Sequence, residues 1–204
     1  MKQAYRAIAD KAEYVHEEKR STFTALLHPV RSREEAMATL QAIRLNRPGA
    51  SHYCWAYVLG DALQPQAAAF NDDGEPSGTA GRPMLNVLMH REAGDCFAVV
   101  VRFFGGVKLG AGGLVRAYGA AVSGALDQAR WYSVEPLATV RIATAFANEQ
   151  KVRHFLQVQG ADHVQAAYGE RVEITARVAE QQCEAMAEAL AHLTSGQAKM
   201  VVDS

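Results

Sequence analysis

Three acids, Asp72, Asp73 and Glu75, stand close together in a run, Asn71 to Gly81, that has almost no large apolar residue. Such a run must be a loop, and a loop needs few acids to fold. Carboxylates at this spacing can bind a hard cation, hydrogen-bond a cationic partner, or cap the helix that follows and complement its dipole. A second glycine-rich run, Gly105 to Gly113, also leads into a helical pattern. Helix N-termini offer unpaired N–H groups at the positive end of the dipole, so a phosphate or carboxylate ligand is one reading; tight turns and close helix packing are the other.

Neither loop carries a standard nucleotide fingerprint. Gly105 to Gly113 has no GxxxxGK[ST], and Gly110-Ala111-Gly112 lacks the third glycine of GxGxxG because position 115 is Val. The pattern supports neither a P-loop ATPase nor a Rossmann enzyme. Arg102, Lys108 and Arg116 supply positive charge near the acids, and Arg102 interrupts the apolar run Cys96 to Phe104, so it needs a partner if it is buried. His52 and Cys54 alternate on one strand and share a face. His52 is a candidate polar contact near the acidic loop, while Cys54 reads as a buried structural thiol. No GxSxG or HExxH context surrounds any serine or histidine.

These residues sit in an ordinary globular composition: 204 residues, 49% hydrophobic, 21% charged, with a formal net charge of -1. That balance suggests neither disorder nor a strongly basic nucleic-acid binder. The three cysteines form no CxxC, which points to neither a disulfide framework nor a zinc site and leads us to expect reduced thiols in the cytoplasm. The start of the chain has basic residues without an apolar segment behind them, so neither an export signal nor a membrane anchor is expected.

The elements that must position the candidate residues follow from periodicity. Ser21 to Val30 has strand character. Ser32 caps a helix from Arg33 to about Leu45, stopped by Pro48 and Gly49. His52 to Leu59 and Gln66 to Phe70 read as strands around a Gly60-Asp61 turn. Pro83 suits the first turn of a helix carrying Met84, Leu85, Val87 and Leu88. Cys96 to Phe104 is a buried strand, and a helix runs from Leu114 to about Ala129. Around 131 to 136 the character changes. Beyond it come strand Leu137 to Ala145, helix Asn148 to Gln159, strands Asp162 to Ala167 and Arg171 to Val178, helix Glu180 to Leu193 and strand Gln197 to Val202. That is the βαββαβ order of a ferredoxin-like sandwich. The expected fold is α+β, with an N-terminal domain over residues 1–133 and a C-terminal domain over 134–204.

Taken together, Asp72-Asp-Gly-Glu75-Pro-Ser77-Gly-Thr79-Ala-Gly81, Val100-Val-Arg102-Phe-Phe-Gly105-Gly106-Val-Lys108-Leu-Gly110 and Gly113-Leu-Val-Arg116-Ala-Tyr118 resemble the signature of the IMPACT family, in its bacterial YigZ type. Lys19 to Phe23 and His52 to Ala56 sit where that family has its first strand and its histidine strand. The resemblance implies an N-terminal βαβ-containing domain like the second domain of a small-subunit ribosomal protein. It also implies a ferredoxin-like C-terminal domain similar to the last domain of translocating elongation factors. The function it implies is a non-catalytic, cytoplasmic regulator or binding protein that contacts RNA, the ribosome or a translation factor. The alternative is an enzyme or small-molecule binder holding a phosphorylated or carboxylated ligand between the two loops. The expected binding residues are His52, Asp72, Asp73, Glu75, Ser77, Thr79, Arg102, Gly105, Gly106, Lys108, Gly110, Arg116 and Tyr118. No catalytic residue, metal ligand or cofactor is implied, and a monomer is favoured.

Overall fold

A computed structural model describes residues 4–203. The chain divides into two compact units, Tyr5–Val134 and the chain from Glu135 onward.

The first unit is built on a five-stranded sheet in the order β2 (Ala12–Glu18), β3 (Ser21–Pro29), β6 (Cys96–Phe103), β4 (His52–Leu59), β5 (Ala67–Asn71). Each neighbouring pair is antiparallel. Because β6 lies in the middle and both its faces are covered, it reads as an unbroken apolar run. Ala98 and Val100 point with Phe23, Ala25 and Cys54 into a core shared with α2 (Gly81–His90) and α3 (Ala111–Gln128). Phe97, Val99 and Val101 point the other way, against Ala36, Leu40 and Ile43 of α1 (Arg33–Asn46). The Ser32 hydroxyl caps α1 by accepting from Glu35 N–H at 3.1 Å, while the Glu35 carboxylate accepts from Arg31 N–H at 2.7 Å. Gly124 lets α3 lie against Tyr14 of β2, since a Cβ there would come within 2.4 Å of the ring.

Three strands of this unit escape local periodicity. β2 alternates half-buried and exposed positions at the sheet edge, so its Glu13, Glu17 and Glu18 mask the strand pattern. β1 (Tyr5–Ile8) and β7 (Trp131–Val134) are four residues each and exist by pairing with one another across the length of the unit. The family's implied first strand, from Lys19, is therefore the third one here.

The second unit has the order β8 (Leu137–Thr144), α4 (Glu149–Val158), β9 (Asp162–Tyr168), β10 (Val172–Ala179), α5 (Cys183–Leu193), β11 (Lys199–Val202). Its strands lie in the order β11-β8-β10-β9 and all neighbours are antiparallel, which is the ferredoxin-like arrangement. Val140, Ile142, Ile174 and Ala176 alternate into a core closed by Val152 and Leu156 of α4 and Met186 and Leu190 of α5. Among the described residues, no helix is long and apolar enough to cross a membrane.

Candidate functional site

The acidic loop is organised by Asp72, which acts as a remote helix cap. Its Oδ1 accepts from the Ala80 and Gly81 N–H groups at 3.1 and 2.8 Å, and its Oδ2 from Gly78 N–H at 2.8 Å. The carboxylate thus occupies the anion position at the start of α2 that a ligand phosphate would otherwise take. Thr79 closes a turn, its hydroxyl donating to the Pro76 carbonyl at 2.6 Å, and Ser77 is exposed at the crest. Asp73 ties the loop to β4 and α1. Its Oδ2 accepts from Tyr53 N–H at 2.7 Å, and its Oδ1 pairs with Arg44 at 2.6 Å. The Asp73 carbonyl lies 2.9 Å from His52 Nδ1. A carbonyl only accepts, so Nδ1 is the donor in this contact.

Glu75 goes elsewhere. Its side chain is 3% exposed and meets Arg102, 6% exposed, with Oε1 2.5 Å from Nη1. The same oxygen accepts from the Tyr118 hydroxyl at 2.8 Å, and His52 Nε2 stands 3.9 Å away. Cys54 Sγ lies 3.2 Å from the Tyr118 hydroxyl and 3.0 Å from the Asp72 carbonyl. Burial pushes the Cys54 thiol up to about 12, with the neighbouring Glu75, Asp73 and Asp72 adding to the rise, so it is no thiolate nucleophile at neutral pH. Burial likewise raises Tyr118 well above the usual phenol range and keeps it a donor. Arg102 Nη2 is 3.5 Å from the Ser21 hydroxyl, which also accepts from Gly105 N–H at 3.1 Å, and its buried Nε has no partner. The Glu75, Arg102 and Tyr118 cluster therefore ties the acidic loop to β6 and α3, the two elements that flank the second loop.

Around this buried cluster the loop from β6 to α3 is open to solvent. Phe103, Phe104 and Val107 are 41%, 50% and 40% exposed, Lys108 is exposed next to them, and Arg116 is exposed farther on, in α3. Gly105 must be glycine, since a Cβ there would lie 2.0 Å from the Arg20 carbonyl group, and this close approach brings the β2–β3 turn alongside. Gly106 lies in the same solvent-facing stretch, and Gly110, at φ 73, starts α3 without a side-chain cap. The β2–β3 turn is made of Lys19 and Arg20, at φ 46 and 65. Among the described residues Lys19, Arg20, Lys108 and Arg116 take part in no ion pair. No group of three or more His, Cys, Asp or Glu among the described residues is placed to hold a metal ion.

Lys19, Arg20, Phe103 and Phe104 are absent from the set expected from the sequence. The two phenylalanines end an apolar run and pass for core, and the two cations lie far from the glycine loops in sequence. Ser21 was equally hidden, because nothing local marks a strand-initial serine as an arginine partner.

The Impact N-terminal domain family matches residues 19–126, and a second family, Domain of unknown function (DUF1949), matches residues 142–197. The chain is 37% identical to the IMPACT family member YvyE of Bacillus subtilis (strain 168) over 196 residues, 96% of this chain and 89% of that one. It is 46% identical to the IMPACT family member YigZ of Escherichia coli (strain K12) over 123 residues, 60% of each chain. A crystal structure of a hypothetical protein, 31% identical, superposes with a TM-score of 0.78 and covers 100% of this chain and 99% of that one. With both domain families in order along the sequence and a likeness to YvyE that runs nearly end to end, the chain belongs to the IMPACT family.

Proposed function

We propose that this protein is a non-catalytic, cytoplasmic binding protein of the translation apparatus that contacts RNA through the β2–β3 turn and the β6–α3 loop. The observation that carries this reading is the unpaired Lys19 and Arg20 of the β2–β3 turn, packed against Gly105 of the β6–α3 loop, which itself exposes Phe104 and Lys108, with the unpaired Arg116 following in α3. Unpaired surface cations bind phosphates by releasing condensed counterions, and aromatic rings add sequence-tolerant contact to bases. The acids support the same reading from the other side. Asp72 caps α2, Asp73 is held by Arg44 and Tyr53, and Glu75 neutralises Arg102, so each already has a structural task. The alternative, a phosphorylated or carboxylated small molecule between the loops, is left with the uncapped start of α3.

A net charge of -1 gives little long-range attraction, so contact is local and salt-sensitive. Four phosphate contacts predict that log K falls with log salt at a slope of roughly -3, from about 0.7 per contact on single strands. The test is co-sedimentation with ribosomal subunits across a salt series, with free RNA as competitor. Saturable binding that weakens with salt, and that Lys108→Ala with Arg116→Ala reduces while flattening the slope, is the expected result. Absence of binding at every salt concentration overturns the proposal.

A further inference from the structure

A layered stack runs from the core of the N-terminal unit to its surface. Phe23 is fully buried; the Arg102 guanidinium lies over its ring at 5.2 Å, and the same guanidinium lies over the Phe104 ring at 5.6 Å. Arg102 is held in this position by Glu75, at 2.5 Å, so the middle of the stack is fixed by a buried ion pair. Phe104 is held as well, its own N–H donating to the Ser51 hydroxyl at 3.3 Å, yet the residue remains 50% exposed. A ring fixed on one side by a buried cation and open on the other is poor use of apolar surface for stability alone. It is well suited to receive a flat aromatic group, because little conformational freedom remains to be lost on contact.

What lies around the ring selects the partner. Lys19 and Arg20 form the adjacent turn, in a conformation that Asn and Gly fill more readily, and Lys108 continues the Phe104 loop. Resting on the RNA-binding reading above, we infer that Phe104 is a base-stacking platform and that this face takes single-stranded RNA, a base on the ring and phosphates on the flanking cations. In a duplex both faces of each base are already stacked, so the ring would contribute nothing and only the phosphates would be engaged.

The test uses the full chain and three labelled probes in fluorescence anisotropy: a short oligoadenylate, its duplex with oligouridylate, and an abasic oligomer with the same number of phosphates. The wild type is expected to prefer the single strand over the other two. Phe104→Leu, which keeps an apolar side chain, is expected to weaken oligoadenylate binding roughly five- to hundred-fold, the loss of one stacked base, and to leave the abasic probe unaffected. Phe104→Trp is expected to retain or tighten it. Equal wild-type affinity for single strand and duplex overturns the inference. So does a Phe104→Leu protein that binds oligoadenylate like the wild type while Lys108→Ala with Arg116→Ala still weakens it; there the RNA reading stands without the platform. A wild type that binds none of the three probes overturns both, and would turn attention to a protein partner for the same face.

Discussion

Replacing Glu75 by Gln removes the carboxylate from Arg102 while keeping an oxygen that can accept from Tyr118, so the substitution isolates the charge. The guanidinium is 6% exposed, its Nε has no partner, and its contact with the Ser21 hydroxyl is long at 3.5 Å. Glu75 is its one ion-pair partner among the described residues. Leaving a buried charge unpaired in this way costs about 3–5 kcal/mol, whereas removing both members for neutral groups of similar volume costs far less. Glu75→Gln is therefore expected to destabilise the N-terminal unit by about 3–5 kcal/mol, and Glu75→Gln with Arg102→Met by clearly less than the sum of the two single changes. Both tryptophans, Trp55 and Trp131, lie in that unit, so urea unfolding followed by tryptophan fluorescence reports it directly. A Glu75→Gln protein within about 1 kcal/mol of the wild type, or a double-mutant cycle that closes additively, would refute the buried-pair argument.

The β2–β3 turn predicts a trade between stability and binding. Lys19 and Arg20 both sit at positive φ, which costs non-glycine residues roughly 1–2 kcal/mol each, so Lys19→Asn with Arg20→Gly should raise the melting temperature while weakening RNA binding. Asp72→Ala removes the acceptor of three backbone N–H groups and is expected to cost about 2 kcal/mol, with hydrogen exchange quickening at Gly78, Ala80 and Gly81. Burial, aided by Lys11, lowers His28 to about 4, below the ordinary value of 6.5. The unfolded chain thus binds this proton more readily, and the neutral ring's contribution is complete above pH 6.5 and lost as the pH falls through 4. Melting temperatures measured between those values should fall less steeply in His28→Gln than in the wild type, and parallel curves would contradict the assignment.

Local patterning carries far in this chain. The Ser32 cap, the glycine and proline stops, the apolar run of β6 and the βαββαβ order are short-range consequences of propensity and period, and they place most helices and strands within a few residues. The requirement that Arg102 have a partner is also local, because an arginine inside an apolar strand is costly whatever surrounds it. Its partner is not local. Glu75 stands 27 positions away, in a loop where it looks interchangeable with Asp72 and Asp73, and only the fold sends one acid inward to Arg102, one to a helix start and one to Arg44. The edge strand β2, the β1–β7 pair and the meeting of Arg20 with Gly105 have the same origin. Each depends on backbone pairing or close approach between segments whose own sequences do not specify it. Sequence alone determined which residues carry charge and where the chain must bend; tertiary structure decided which charges are consumed internally, and so which ones are left to the solvent.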